Sequence, residues 1–116
     1  MVLFIEYPKC STCKKAKNWL LENNIEFISR HIVEENPSAD ELRKWYEQSG
    51  LPLKRFFNTS GLVYKGMGLK DKLPSMSEQE QLDVLATNGM LVKRPLIISD
   101  THIFTGFKEK EWVNLR

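Results

Sequence analysis

Cysteine and histidine are scarce in this sequence, which has two of each among its 116 residues. Two cysteines cannot build the dense disulfide framework of a small secreted domain, and a chain of this length can bury a core without one. A structural zinc site needs four ligands, but His31 and His102 are far apart in sequence and form no close pair. We therefore expect no metal ion and a single domain over residues 1–116.

Long apolar runs and a strong excess of charge are also missing. The first apolar run, residues 2–5, is interrupted by Glu6, and no cationic segment precedes it as in a signal peptide. No stretch approaches the roughly 20 apolar residues of a membrane span. The net charge of +2 is too small to indicate nucleic-acid binding by itself. We expect a cytoplasmic protein that contacts neither membranes nor nucleic acid directly.

The first third of the chain has the pattern of a β-α-β unit. Residues 2–7 and 26–32 are short apolar or alternating stretches that predict strands. Between them, a helix is predicted from about Ser11 to Glu22, with Ala16, Trp19 and Leu20 facing the core.

Helical signals dominate residues 37–89, which we interpret as an insert. Capping boxes at Ser38 and Ser77 predict two helix starts, and Gly50 is typical of a helix end. A short helix is predicted from Leu53 to Phe57, followed by turns with short helical pieces.

The last part of the chain returns to strands. Residues 95–99 and 103–107 predict a hairpin closed by a turn at 100–102, and a helix is expected over about 108–115. The order β-α-β, insert, β-β-α indicates an α/β fold.

The two cysteines form a CxxC motif at the predicted start of the first helix. Such a motif beside a β-α-β unit is typical of thioredoxin-like redox proteins. The thiolate is the nucleophile in disulfide exchange, and a helix N-terminus favours it, as would Lys9 and Lys14 if they turn inward. We assign Cys10 as the attacking residue and Cys13 as the resolving residue. A structural disulfide here would close so short a loop that it would stabilise weakly.

Arg94-Pro95 allows two interpretations. Pro95 is tolerated as the first residue of a strand. Alternatively, a cis-proline turn brings Arg94 to the cysteines as an anion-binding fork. The sequence alone leaves both open.

Three segments together resemble a known family. "YPKCSTCKKAKNWL", "GLPLKRFFNTSGLVYKGMGL" and "MLVKRPLII" are similar to the arsenate reductase family of glutaredoxin-linked type, which includes the Spx-type regulators. The resemblance spans about residues 3 to 112. It implies a thioredoxin-like (glutaredoxin-like) fold with a mixed four-stranded sheet and a helical insert. It also implies a nucleophile at Cys10, a cis proline at Pro95 and a functional arginine at Arg94.

The sequence departs from the family's pattern at the anion site. Arsenate reductases of this type use three arginines, and the resemblance places Asn58 and Gly106 where two of them stand. Each lost charge-assisted hydrogen bond removes about 1.5–3 kcal/mol of binding. Since Cys13 supplies a built-in resolving thiol, we expect a thiol–disulfide oxidoreductase with little arsenate reduction.

The resemblance implies a set of site residues and a reductant. The expected anion- and substrate-binding residues are Ser11, Thr12, Lys14, Arg94 and Pro95, with Lys9, Asn58 and Gly106 as further candidates. No bound cofactor is expected, and glutathione or a thioredoxin/glutaredoxin system is the expected reductant. The expected partner is a thiol or disulfide substrate or a redox protein.

A second hypothesis is a redox-switched transcriptional regulator. Spx-type proteins contact the C-terminal domain of the RNA polymerase α subunit, and a glycine corresponding to Gly50 matters for that contact. The preference for glycine at a helix C-terminus alone explains Gly50, and we favour this structural explanation over the functional one. Spx-type proteins also have an arginine in place of Asn58 and a longer C-terminal tail, so we rank this hypothesis second.

Overall fold

A four-stranded mixed sheet forms the centre of the computed structural model, which describes all 116 residues. The strands are β1 (Val2–Glu6), β2 (Phe27–His31), β3 (Leu96–Ile98) and β4 (Ile103–Thr105). They are arranged in the order β2-β1-β3-β4. β1 pairs in parallel with β2, whereas β3 is antiparallel to both β1 and β4. The predicted α/β class with a mixed four-stranded sheet is therefore confirmed.

Six α-helices accompany the sheet. They are α1 (Ser11–Glu22), α2 (Ala39–Ser49), α3 (Leu62–Gly66), α4 (Leu69–Lys72), α5 (Glu78–Ala86) and α6 (Glu109–Trp112). Helices α2 to α5 occupy the interval between β2 and β3, where the sequence predicted a helical insert. None of the helices combines the length and the apolar character needed to cross a membrane.

Each face of the sheet packs against its own layer. On one face, Phe4 of β1 packs with Ala16 and Leu20 of α1 and with Trp112 of α6, and all four are fully buried. On the other face, Ile5 packs in a larger core formed mainly by the insert. The alternation of side chains along β1 is what separates these two cores.

Two ion pairs join the layers to the sheet. Glu6, at the end of β1, is buried and lies 2.7 Å from Lys17 Nζ of α1. Arg30 of β2 donates to both carboxylate oxygens of Glu41 in α2, at 2.7 and 2.8 Å. Glu41 also completes the capping box with Ser38, and this arrangement, led by the Arg30 hydrogen bonds, lowers the pKa of Glu41 to about 2.

Several predicted elements are shorter than the sequence suggested. Strand β3 begins at Leu96 because Pro95 has no N–H to offer the ladder. It ends at Ile98 because Ser99 turns the chain, accepting a hydrogen bond from the His102 N–H at 2.9 Å. The short helix expected at Leu53 to Phe57 is a 3-10 turn over Leu53–Phe56.

Candidate redox site

Cys10 and Cys13 lie at the start of α1, in positions that give them different exposure. Cys10 is the N-cap residue, directly after the turn that follows β1, and its N–H donates to the Tyr7 carbonyl at 2.9 Å. Cys13 lies one turn into the helix and is fully buried, whereas Cys10 is half-buried. Both are free thiols. The Cys10 sulfur is therefore accessible to a substrate, whereas the Cys13 sulfur is accessible only to a group already bonded to Cys10.

The surroundings of Cys10 favour its thiolate. Partial burial opposes ionisation, but it is outweighed by hydrogen bonds from the backbone N–H and thiol of Cys13, the Arg94 guanidinium and the Thr12 N–H. Together these donors hold the pKa of Cys10 below its ordinary value. Several of the donors belong to the first turn of α1, where backbone N–H groups have no intrahelical partner.

Cys13 has the opposite character. Burial raises the pKa of its thiol well above the ordinary value, and the neighbouring Cys10 raises it further. A hydrogen bond from the Tyr7 N–H only partly offsets these effects. Cys13 is therefore a protonated thiol that donates to the Cys10 sulfur.

Arg94 lies beside Cys10 although it comes much later in the sequence. The Arg94-Pro95 peptide bond is cis, and it lies immediately before β3, the neighbour of β1. The Arg94 guanidinium lies 5.1 Å from the centre of the Tyr7 ring, and its Nη1 is 3.9 Å from the Met90 sulfur. An aromatic ring attracts a cation without neutralising it, so the full charge of Arg94 remains available to the Cys10 thiolate.

A cavity of about 440 Å³ opens beside Cys10. Cys10, Thr12, Asn58, Arg94 and Gly106 are the predicted site residues that line it.

Four of the predicted site residues lie outside the lining of this cavity. Lys9, Ser11 and Lys14 are exposed, and Pro95 is buried below Arg94. The cations of the cavity are instead Arg55, Lys93, Arg94 and Lys108. Lys9 and Lys14 do not line the cavity, so its cations come from distant segments of the sequence rather than from the CxxC segment.

Asn58 and Gly106 hold the cavity walls through their backbones. The Asn58 N–H donates to the Leu91 carbonyl at 2.7 Å, and its side chain is largely buried. Gly106 has φ +79 and accepts a hydrogen bond from the Trp112 indole at 3.2 Å. A Cβ at Gly106 would lie 3.2 Å from Cε of Lys93, so the Lys93 side chain runs across this glycine.

The sequence did not predict the other seven residues that line the cavity as part of the site: Arg55, Ser60, Gly61, Lys93, Thr105, Phe107 and Lys108. Among them, Lys93 precedes the Arg94-Pro95 pair directly. Nothing in the local pattern distinguishes these residues from ordinary surface, turn or strand residues. Elsewhere in the molecule, no three His, Cys, Asp or Glu side chains come together as metal ligands would.

Fold and site together define a thioredoxin-like α/β protein with a free cysteine pair at the start of its first helix. The ArsC family model matches residues 5–115, nearly the whole sequence, and the chain therefore belongs to the ArsC family. This confirms the family predicted from the three sequence segments.

The chain is similar to proteins described in different functional terms. An ArsC family related protein from Bacteroides fragilis is 56% identical, with a TM-score of 0.96 over 99% of this chain and 97% of that one. A possible arsenate reductase from Streptococcus mutans is 46% identical, with a TM-score of 0.87 over 93% and 92% of the two chains. The global transcriptional regulator Spx of Staphylococcus epidermidis is 27% identical over 111 residues, 96% of this chain and 83% of the regulator. The family thus contains both arsenate reductases and Spx regulators, and membership alone does not choose between them.

Proposed function

We propose that this protein is a thiol–disulfide oxidoreductase in which Cys10 attacks and Cys13 resolves. The observation that carries the proposal is the contrast between the two sulfurs. Cys10 opens to a cavity and is stabilised as a thiolate, while Cys13 is fully buried, protonated and hydrogen-bonded to Cys10. An exposed nucleophile backed by a buried thiol is the arrangement that two-step disulfide exchange requires.

The proposed cycle has two steps. The Cys10 thiolate attacks one sulfur of a substrate disulfide, forming a mixed disulfide and expelling the other half as a thiolate, which takes up a proton. Cys13 then loses its proton and attacks the Cys10 sulfur, forming the Cys10–Cys13 disulfide and expelling the second half. Formation of the mixed disulfide removes the negative charge from Cys10, and with it one cause of the raised pKa of Cys13.

An external thiol system closes the cycle. Two electrons from glutathione, or from a thioredoxin or glutaredoxin, would return Cys10 and Cys13 to thiols. We place the cycle in the cytoplasm, where such reductants are maintained.

Arsenate is a poor substrate in this proposal. Arg94 is the arginine that hydrogen-bonds to Cys10, while Asn58 and Gly106, where the resemblance places the family's other two arginines, contribute no charge to the cavity. We expect little glutathione- and glutaredoxin-dependent arsenate reduction, measured as arsenite formed over time. Rapid arsenite formation by the unaltered protein would show that arginines at the positions of Asn58 and Gly106 are not needed.

Trapping of the mixed disulfide tests the assignment of the two cysteines. With the resolving thiol removed, Cys13→Ser should accumulate the substrate half on Cys10, visible by intact-mass spectrometry and released by reductant. The matched variant Cys10→Ser should trap nothing. Equal trapping by Cys10→Ser, or none by Cys13→Ser with any disulfide, would contradict the proposal.

A second candidate function is a redox-switched regulator of the Spx type. The observation that favours it is the similarity to Spx over 111 residues, together with the free cysteine pair. In this proposal the disulfide changes affinity for the RNA polymerase α subunit and no substrate is turned over.

A further inference from the structure

The cavity beside Cys10 carries four positive charges that no carboxylate neutralises. Its cations are Arg55, Lys93, Arg94 and Lys108, and no acidic residue lines it. None of the four lies within 4.0 Å of a carboxylate, unlike Lys17, which is paired with Glu6. Like charges gathered around one concave surface repel each other and raise its affinity for anions.

Three of these cations fall into two groups by position: Arg94 beside Cys10, and Lys93 with Lys108 beside Gly106. Arg94 belongs to the reacting centre, because it donates a hydrogen bond to Cys10 and its guanidinium packs over the Tyr7 ring. Lys93 instead runs across Gly106, at the β4 side of the cavity. Lys108 lies two residues beyond Gly106 and lines the same cavity.

Thr105 identifies the second group of cations, Lys93 and Lys108, as a candidate binding site. It is the last residue of β4, it lines the cavity and only 3% of it is exposed. Its Oγ1 is the one buried side-chain oxygen or nitrogen in the protein without a hydrogen-bond partner. A buried hydroxyl left unsatisfied is unfavourable, and an acceptor oxygen bound in the cavity would relieve it once the enclosed Oγ1 turns toward that surface.

We propose that Thr105, Lys93 and Lys108 form a subsite for a carboxylate, separate from the reacting sulfur at Cys10 and Arg94. This rests on the proposed oxidoreductase function and names its substrate class: a low-molecular-weight disulfide whose two halves carry carboxylates. A volume of about 440 Å³ falls in the range of small-molecule sites. The carboxylate accepts hydrogen bonds from the two lysines and from the Thr105 hydroxyl, and it places the disulfide sulfur beside Cys10.

Two small disulfides of similar size and different charge test the subsite. Pre-reduced protein is mixed with dithiodipropionate, which has two carboxylates, or with hydroxyethyl disulfide, which is neutral. In a single turnover, attack by Cys10 releases one half of the disulfide as a thiol and leaves the other half on Cys10. Formation of the Cys10–Cys13 disulfide then releases the second half as a thiol. No external reductant is needed, and the second-order rate constant follows from the loss of protein thiols.

The lysine variants should lose the charged substrate selectively. Lys93→Met and Lys108→Met should each lower the rate constant for dithiodipropionate about five- to tenfold. The rate for hydroxyethyl disulfide should change less than twofold. Lys15→Met removes the same charge from an exposed position of α1 outside the cavity, and it should leave both rates unchanged.

Thr105→Val separates a binding role from a structural one. Valine keeps the shape and removes the unpaired hydroxyl, so thermal stability should stay equal or rise. The rate with dithiodipropionate should nevertheless fall severalfold. Parallel losses with both disulfides, or losses equal to those of Lys15→Met, would overturn the subsite and leave the oxidoreductase standing. Cleavage of protein disulfides but of neither small disulfide would also overturn only the subsite, whereas failure of the unaltered protein to cleave any disulfide would overturn both.

Discussion

The reactivity of Cys10 depends on the first turn of α1 and on single residues brought beside it from elsewhere in the sequence. The CxxC segment contributes the first-turn N–H groups, but the nearby side-chain cation is Arg94, more than 80 residues away in sequence. Tyr7 contributes twice, since its ring holds Arg94 and its N–H donates to the Cys13 sulfur. The reactivity of the pair should therefore respond to changes at Tyr7 and Arg94.

The thiolate of Cys10 should persist to lower pH than that of an ordinary cysteine. Its pKa is lowered, so the alkylation rate in Cys13→Ser, where a hydroxyl replaces the neighbouring thiol, should reach half its maximum below about pH 8.5. Arg94→Met removes a donor to the thiolate and should move the midpoint upward. A midpoint at or above the free-cysteine value in Cys13→Ser would mean that Cys10 is not activated.

The ring of Tyr7 should matter through Arg94. Tyr7→Leu removes the aromatic face under the guanidinium, and we expect the alkylation midpoint of Cys10 to rise by about half a pH unit. Tyr7→Phe keeps the ring and should behave like the unaltered protein. The two variants are compared by iodoacetamide kinetics in the Cys13→Ser background. Equal midpoints for leucine and phenylalanine would show that the ring does not hold Arg94 in place.

Secondary-structure elements were predictable where the signal is local. Helix α1 spans the expected residues because its apolar spacing is confined to one segment, and the capping boxes at Ser38 and Ser77 form as predicted. The cavity was less predictable, because its cations come from segments that meet only when β3 pairs with β1 and β4. A lysine such as Lys108 joins the cavity only through that strand pairing, and no local sequence pattern predicts its position there.

The junction between the insert and the sheet depends on one glycine. A Cβ at Gly89 would lie 1.9 Å from the Ile32 carbonyl oxygen, directly after β2, so the backbone itself would have to move. We expect Gly89→Ala to lower the free energy of unfolding by about 3 kcal/mol, measured by urea denaturation. Gly66→Ala is the matched control, since a Cβ there meets nothing within 4 Å at the end of α3 and should leave stability equal or higher. A Gly89→Ala protein as stable as Gly66→Ala would mean that this contact does not fix the insert.

At the scale of the whole molecule, the insert completes the redox cavity as well as the hydrophobic core. Arg55 and Asn58 reach the cavity from the insert, while Lys93 and Lys108 flank the β3–β4 hairpin. Lys54 faces a different cavity from Arg55, together with Tyr64 and Lys70. Lys54 and Arg55 are thus both exposed but line different cavities, and Arg55 also lines a groove with Ser49 and Leu51, which flank Gly50.

We expect no redox-dependent binding to the C-terminal domain of the RNA polymerase α subunit, because Asn58 stands where the Spx-type pattern has an arginine. Rim charges such as Arg55 mainly set association rate and salt sensitivity. The measurement is a titration of labelled α C-terminal domain with the protein in its dithiol and disulfide forms. Gly50 has φ +70 with open space around it, so Gly50→Arg tests the surface, while Gly50→Asn controls for backbone strain. Association of the disulfide form alone, lost in Gly50→Arg and kept in Gly50→Asn, would place the regulator above the enzyme.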